Sequence, residues 1–180
     1  MKFSGKWGIA CAYTGGIFLI TPYLPQLIRF ASSKWSQSGV SRFVLYVEII
    51  IALLILTLAI VFLFYKRKKS VSFLISVAGI FFLSFIIYQF LPNPYEFTHL
   101  PEYAILSILV ARALDKKKGA RLRNNYYFLS GLITGVIGTG DEVYQYFLPV
   151  RFFTWYDIAL NILGGILGLL IYWVIKKHES

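Results

Sequence analysis

YDIALNILGGILGLLIYWVI, residues 156–175, is the stretch that most clearly indicates the fold class of this chain. An α-helix needs about 20 predominantly apolar residues to cross a hydrocarbon core of about 30 Å, and this stretch has that length. Its one charged residue, Asp157, lies near its beginning. Ionisable groups inside membrane spans are costly and usually functional, so the stretch predicts a transmembrane helix that carries part of a functional site.

Comparable apolar stretches occupy most of the chain. Hydrophobic residues make up 58% of the sequence and charged residues 14%, whereas soluble globular proteins carry about 25% charged residues. We therefore expect an all-α fold, a polytopic integral membrane helical bundle with about six transmembrane helices. A very apolar soluble helical bundle is the alternative. The predicted spans are residues 7–27, 43–65, 71–91, 100–114, 126–148 and 156–175.

The sequence predicts a single transmembrane domain over residues 1–180. Residues 1–91 supply the front helices, and residues 97–175 carry the polar motifs. Pro22 and Pro25 should kink or end the first span, because proline lacks a backbone N–H and its ring clashes with the preceding turn. The first span lacks a clear small-residue cleavage site, so we expect it to remain as a helix rather than to be removed as a signal.

Lysine and arginine are distributed unequally between the predicted loops, and this sets the expected orientation. Most of them lie near the N-terminus, after the second span, in the region 112–123 and in the C-terminal tail. Because cytoplasmic loops of membrane proteins are enriched in basic residues, both termini are predicted to be cytoplasmic in a multi-pass protein of the cell membrane. This asymmetry and attraction to anionic membrane lipids explain the net charge of +10, so no nucleic-acid partner is expected.

Polar residues from three spans are predicted to lie at one depth, near the outer leaflet. In this orientation the fourth span begins, the fifth span ends and the sixth span begins on the outer side. Asp157 and Asn161 are four residues apart, so they share one face of a helix. The residues that converge at this level are His99, Glu102, Tyr103, Asp141, Glu142, Gln145, Arg151, Asp157 and Asn161.

Glycines at helical spacing accompany the polar residues. Gly164 and Gly168 form a GxxxG pair on the sixth span, and Gly131 and Gly135 form another on the fifth. Small residues let helix backbones approach closely in a bilayer. We expect these glycines to pack the fifth and sixth spans together, so that the polar groups face a shared, water-accessible pocket. The alternative is that the glycines only pack and the polar side chains only reach towards the surface.

The polar residues follow a distinctive order along the chain. It reads His99-x-x-x-Tyr103, Asp141-Glu142-x-x-Gln145, Arg151, Asp157, Asn161 and Gly164-x-x-x-Gly168. This order resembles the VanZ-like family of small polytopic membrane proteins, which takes its name from a member linked to resistance against the glycopeptide antibiotic teicoplanin. The resemblance implies a cell-envelope role but no particular reaction. Members of that family typically have fewer spans, whereas residues 43–91 lengthen the front half of this chain.

The residue types in the set suit metal binding and proton transfer. One histidine with several carboxylates fits a hard or borderline divalent metal ion better than a site of thiolates does. Glu142 and Asp157 are candidates for a general acid, a general base or metal ligands. His99 is a candidate proton shuttle or ligand, and Glu102 completes the predicted catalytic set.

Arg151 is the predicted clamp for an anionic substrate. Its planar guanidinium binds a phosphate or carboxylate through two hydrogen bonds, and the remaining polar residues are assigned to substrate binding beside it. The alternative is a structural ion pair from Arg151 to Asp141 or Asp157. The residues assigned to substrate binding are Arg151, Asp141, Gln145, Asn161 and Tyr103.

Three functions remain open from the sequence. The first is an enzyme that acts on an anionic lipid or lipid-linked envelope substrate at the outer leaflet, for example by phosphate-ester cleavage or group transfer. The second is a transporter or binder of a lipid headgroup, a drug or a proton. The third is a non-catalytic membrane scaffold. The first is favoured, because the polar residues cluster at one level rather than along a path across the bilayer.

Overall fold

The computed structural model of the chain describes residues 5–36, 39, 42, 43, 46, 71–90, 94–115, 125–149 and 153–179. Most of the predicted second span, residues 47–65, lies outside the described residues. Arg151 and the basic segment 116–123 lie outside them as well. Every regular element in the described ranges is helical, which confirms the all-α class.

The helices of the described ranges follow the predicted apolar stretches. From the third predicted span onward, their bounds agree with the prediction to within a few residues. Among these, the last helix extends furthest beyond its predicted end, since its final turns include the lysines and the histidine of the tail. In chain order the elements are α1 (Gly5–Ile20), α2 (Leu24–Trp35), α3 (Val71–Gln89), a 3₁₀ helix (Pro94–Thr98), α4 (His99–Leu114), α5 (Asn125–Tyr146) and α6 (Trp155–Glu179).

The first predicted span is broken at the prolines. α1 ends at Ile20, a short turn follows, and α2 begins at Leu24 with its axis bent by 53° from that of α1. Pro22 cannot donate a backbone hydrogen bond, so it cannot continue α1. Pro25 lies in the first turn of α2, where a missing N–H costs nothing. The helix then continues to Trp35, well beyond the predicted end of the span.

One described helix is long and apolar enough to cross a membrane. It covers Trp155–Lys177, and the bent pair of α1 and α2 qualifies as a second span if its two arms are counted together. α4 has 16 residues, which is fewer than the roughly 20 that a span needs. α5 carries Asp141 and Glu142 in its last turns. The described helices therefore do not establish six spans, and that number remains a prediction.

α4 is the central helix of the described fold. It packs most extensively against α6, and also contacts α1 and α5. Leu106 and Val110 belong to one apolar cluster with Ile17 of α1. Leu100 belongs to a second cluster with Leu167 of α6. Because helices enclose α4 on several sides, the polar residues at its beginning lie in the interior.

Several polar side chains are buried in the described fold, while many large apolar side chains lie on its outside. Ser107 and Thr134 are fully buried between helices. Phe90, Phe128 and Trp155 are instead among the most exposed side chains of the described residues. Soluble monomers rarely expose large contiguous apolar patches. An apolar exterior around polar interior groups is the arrangement expected where lipid surrounds the helices.

The glycines of α6 pack against a different helix from the one predicted. A Cβ at Gly164 would lie 2.6 Å from the carbonyl oxygen of Leu100, and a Cβ at Gly168 would collide with the carbonyl oxygen of Ala104. Both positions therefore face α4, which corrects the expectation that this GxxxG pair joins the fifth and sixth spans. Spacing identifies a stripe of small residues, but it does not identify the helix that the stripe contacts.

An ion pair joins α4 and α6 at the end opposite the polar motifs. Lys176 lies 2.8 Å from Asp115, which directly follows α4, and the hydroxyl of Tyr172 donates to the same carboxylate at 2.9 Å. The hydrogen bond from Lys176 is the main cause that holds the pKa of Asp115 below its usual range. We call these contacts the Asp115 clasp. They oppose sliding of α4 past α6 along the helix axis.

We predict that Gly168→Ala destabilises the fold, whereas Gly135→Ala does not. An added Cβ at Gly168 must push α4 away from α6, and such overpacking costs about 1–3 kcal/mol or more. A Cβ at Gly135 would meet no described atom within 4 Å, and replacing glycine by alanine within a helix gains up to about 1 kcal/mol. Thermal unfolding of both variants in detergent checks this. Equal melting temperatures would contradict the close approach of α4 and α6.

Candidate functional site

Three helix ends meet at one end of the described fold. α4 begins there, α5 ends there and α6 begins there, because consecutive helices run in opposite directions. His99, Asp141 and Glu142 each offer one ligand atom, and these atoms all lie within 4.8 Å of one another. We call these three residues the His–carboxylate triad. Side chains that are far apart in the sequence thus lie next to each other, as the predicted convergence requires.

The triad lies inside the protein and not in an open pocket. Glu142 is 0% exposed, Asp141 is 1% exposed and His99 is 8% exposed. Gln145 and Asn161 are buried to the same degree. The sequence predicted a water-accessible pocket at this place. In the described conformation these side chains are instead buried between the closely packed helices α4, α5 and α6.

Gln145 links the two carboxylates of the triad. Its side-chain Nε2 donates to Oδ2 of Asp141 and to Oε1 of Glu142, both at 3.0 Å. The spacing makes this possible, because residues three and four positions apart lie on one face of a helix. Gln145 therefore orients both carboxylates, and each of them has a second oxygen that the amide does not contact.

Thr21 is a residue of the site that sequence reasoning missed. It lies at the break between α1 and α2, where its hydroxyl oxygen is 3.3 Å from Oδ1 of Asp141 and 2.9 Å from the carbonyl oxygen of Ile17. A hydroxyl has one proton, so it donates to one of these two acceptors at a time. Its position beside Pro22 was a signal that the chain changes direction there, but nothing in the sequence connects this position to α5.

Gly138 marks the place where α4, α5 and α6 come closest together. A Cβ on this glycine would lie 2.8 Å from Cβ of Asn161 and 3.0 Å from Cε1 of Tyr103. Asn161 also donates from Nδ2 to the carbonyl oxygen of Gly138 at 3.1 Å. The ring of Tyr103 stacks on that of His99, with centroids 6.4 Å apart. Tyr103 and Asn161 thus lie one helical turn further inside than the triad.

Asp157 lies at the beginning of α6, one turn before Asn161. Its backbone N–H donates to the hydroxyl oxygen of Thr154 at 2.9 Å, so Thr154 caps the helix. Glu96 of the 3₁₀ helix lies near enough for its pKa to be raised, first by burial and then by the negative charge of Asp157. Glu96 was not among the predicted site residues, because the sequence gives no sign that the 3₁₀ helix lies against α6.

The other predicted residues occupy different positions relative to the triad. Glu102 is half-buried, and its backbone carbonyl accepts a hydrogen bond from Tyr13 of α1 at 3.2 Å. It is not one of the three residues whose ligand atoms meet. Arg151, the predicted anion clamp, lies outside the described residues. Its predicted contact with a substrate or with Asp141 remains a prediction.

An apolar groove of about 400 Å³ lies between α5 and α6. Gly131, Gly135 and Gly165 make part of its wall, and Asn161 gives it a polar group next to the triad. The second GxxxG pair packs against α6 at one of its two glycines: a Cβ at Gly131 would lie 3.4 Å from Cδ1 of Leu169, whereas Gly135 opens onto the groove. The residues that line the groove are Tyr127, Phe128, Gly131, Leu132, Gly135, Asn161, Ile162, Gly165, Ile166 and Leu169.

The arrangement can hold a cation, transfer a proton or accept a hydrogen-bond donor. Buried carboxylates are stable only when a proton, a cation or several donors compensate their charge. An imidazole beside two carboxylates supplies both a proton carrier and a set of metal ligands. Comparison of the chain with protein-family models, with curated proteins and with solved structures gives no match. The resemblance to the VanZ-like family is therefore a hypothesis that rests on the residue pattern alone.

We predict that Gln145→Met destabilises the protein by about 1–3 kcal/mol. The substitution keeps the approximate volume but removes the donor that Asp141 and Glu142 share, and leaving buried acceptors without their donor costs about that much. Gln26→Met is the matched control, because Gln26 is exposed on α2. Thermal unfolding of the two variants measures the difference. A Gln145→Met protein as stable as the control would show that the amide does not hold the two carboxylates.

Proposed function

We propose that this chain is a polytopic membrane protein of the cell envelope, similar to VanZ-like proteins, that binds and processes an anionic lipid-linked substrate. The observation that carries the proposal is the convergence of His99, Asp141 and Glu142 from two separate helices inside an otherwise apolar helical bundle. Such groups are expensive to bury among apolar helices and are retained where they perform a function.

The membrane location is supported by the surface of the described residues. Trp155–Lys177 is long and apolar enough to cross a bilayer, and large apolar side chains cover the outside of the helices. In the proposed orientation both termini are cytoplasmic, so the triad lies near the outer leaflet. The Asp115 clasp then lies on the cytoplasmic side, where its lysine agrees with the enrichment of basic residues.

A lipid substrate is supported by the groove between α5 and α6. The groove is apolar along α5 and reaches Asn161, which donates to a carbonyl of α5, the helix that carries Asp141 and Glu142. A hydrocarbon chain in the groove would place the headgroup of its lipid near the polar cluster. Arg151, in the loop between α5 and α6, is the proposed clamp for a phosphate or another anionic group of that headgroup.

Processing of the substrate is supported by the residue types of the triad. His99 is the proposed proton carrier, and Glu142 and Asp157 are the proposed acid and base, each able to move a proton at a leaving or attacking oxygen. Asp141, Gln145, Asn161 and Tyr103 are proposed to position the headgroup. A binder that performs no reaction is the second candidate, because the almost complete burial of Glu142 fits an occluded binding site.

We predict that Gly135→Leu reduces the amount of lipid that co-purifies with the protein. A leucine side chain at this position would project into the groove, and no described atom lies within 4 Å of its Cβ. Gly140→Leu is the matched control, because Gly140 is exposed on the same helix and does not line the groove. Mass spectrometry of bound lipids, normalised to protein, should show a several-fold loss for Gly135→Leu alone. Equal amounts in both variants would argue against a lipid chain in the groove.

The same measurement separates an enzyme from a binder. If Glu142 takes part in a reaction, Glu142→Gln should retain a lipid whose headgroup is unprocessed, whereas the wild-type protein carries the product or a mixture. A binder would carry the same lipid in both proteins. Arg151→Ala should lower the amount of any anionic lipid specifically, and an unchanged lipid profile in that variant would remove Arg151 from the proposed site.

We predict that a reporter fused after Ser180 is cytoplasmic. The prediction follows from the excess of lysine and arginine in the segments assigned to that side. Fusions of alkaline phosphatase and of green fluorescent protein give opposite signals on the two sides of a bacterial membrane and provide the measurement. Phosphatase activity of the Ser180 fusion would reverse the orientation and place the triad near the inner leaflet.

A further inference from the structure

We propose that His99, Asp141 and Glu142 hold a divalent metal ion of borderline hardness, such as Mn²⁺ or Zn²⁺. The role of the ion in a reaction rests on the function proposed above, but its binding does not. Three protein ligands leave coordination positions open for water or for a substrate oxygen, which is typical of catalytic rather than structural metal sites.

The spacing of the ligand atoms suits one shared ion. Ligand atoms lie about 2.0–2.2 Å from such a metal, so pairs of them are roughly 3–4 Å apart around it. The three atoms of the triad are within 4.8 Å of one another. Binding of one ion would need the three side chains to move inward by only about 1 Å.

Neighbouring side chains orient the carboxylates of the triad by hydrogen bonds, as they orient the ligands of known metal sites. Gln145 donates to one oxygen of Asp141 and to one oxygen of Glu142, so the amide fixes both groups through one oxygen each. Hydrogen bonds of this kind orient the ligands of metal sites and raise metal affinity. Thr21 adds a hydroxyl beside the other oxygen of Asp141.

A buried oxygen next to the triad points independently to a ligand. Asn161 is fully buried, and its Oδ1 has no hydrogen-bond partner among the described residues, although its Nδ2 donates to Gly138. Gly138 lies one helical turn before Glu142, so this hydrogen bond places Asn161 about one turn from the carboxylates of α5. A water molecule bound to the metal would supply the donor that Oδ1 of Asn161 needs.

The donor set selects the class of metal. Mg²⁺ and Ca²⁺ prefer oxygen ligands alone, and soft ions prefer thiolates. One imidazole nitrogen with two carboxylates lies between these limits and favours Mn²⁺, Fe²⁺ or Zn²⁺. A divalent charge would also compensate two carboxylates that are placed side by side away from water.

The test is metal binding by the full-length protein in detergent. The protein is stripped with a chelator, titrated with Mn²⁺ or Zn²⁺ alone, desalted, and analysed for metal per chain and for melting temperature. We expect one ion per wild-type chain and a rise in melting temperature on binding. His99→Gln and Glu142→Gln should each lower the affinity at least about tenfold. Glu179→Gln, which removes a carboxylate at the last residue of α6, at the opposite end of the fold from the triad, should bind as the wild type does.

The melting temperature gives a second readout. Added Mn²⁺ or Zn²⁺ should raise the melting temperature of the wild-type protein, because an ion that binds only the folded state stabilises it. The same concentration of the ion should leave the melting temperature of Glu142→Gln nearly unchanged. Wild-type protein that binds no ion, or a Glu142→Gln protein that binds as much as the wild type, would overturn the proposal. If the wild-type protein binds no ion, a proton or Arg151 compensates the negative charge of the carboxylates instead.

Failure of the metal site is distinguishable from failure of the proposed function. Metal content is measured without added lipid, and lipid co-purification is measured through Gly135→Leu, which lies outside the triad. If Gly135→Leu loses lipid and the wild-type protein binds no metal, the proposed lipid site stands and the proposed metal site is rejected. If the wild-type protein binds metal and Gly135→Leu keeps its lipid, the proposed metal site stands and the proposed lipid site is rejected.

Discussion

The approach of α4 to α6 at Gly164 and Gly168 is the constraint on which the rest of the described fold depends. No side chain fits between these glycines and the backbone of α4. This contact sets the position of α6 relative to α4 along the helix axis. The first residues of both helices therefore lie at the same end of the fold. α5 packs against both helices and ends at that level. The position of the carboxylates is therefore determined by backbone contacts two turns away from them.

Much of this arrangement could be predicted from the sequence, because it depends on local patterns. Apolar length predicted most helices, and Pro22 and Pro25 predicted the break after α1. The alternation of helix directions predicted that residues near His99, Asp141 and Asp157 would lie at one end. All three observations concern the order of residues along the chain and helical spacing, which need no knowledge of which helices are neighbours.

The remaining features depend on which helix faces which, and spacing alone does not decide that. The GxxxG pair of α6 was assigned to α5, although it contacts α4, because a stripe of small residues fits any backbone of suitable direction. Thr21 and Glu96 were missed for the same reason, since their partners Asp141 and Asp157 are distant in the sequence. The burial of Glu142 also escaped prediction, because polar residues near the end of a predicted span are ordinarily expected to reach water.

The Asp115 clasp has a mechanical consequence. Since α4 and α6 are pinned to each other at one end and interlocked at Gly168, they cannot slide past each other without breaking the ion pair and separating their backbones. Sideways displacement of α5, or of the arm that α1 forms, would uncover the buried carboxylates without breaking these contacts, and Thr21 lies where that arm bends.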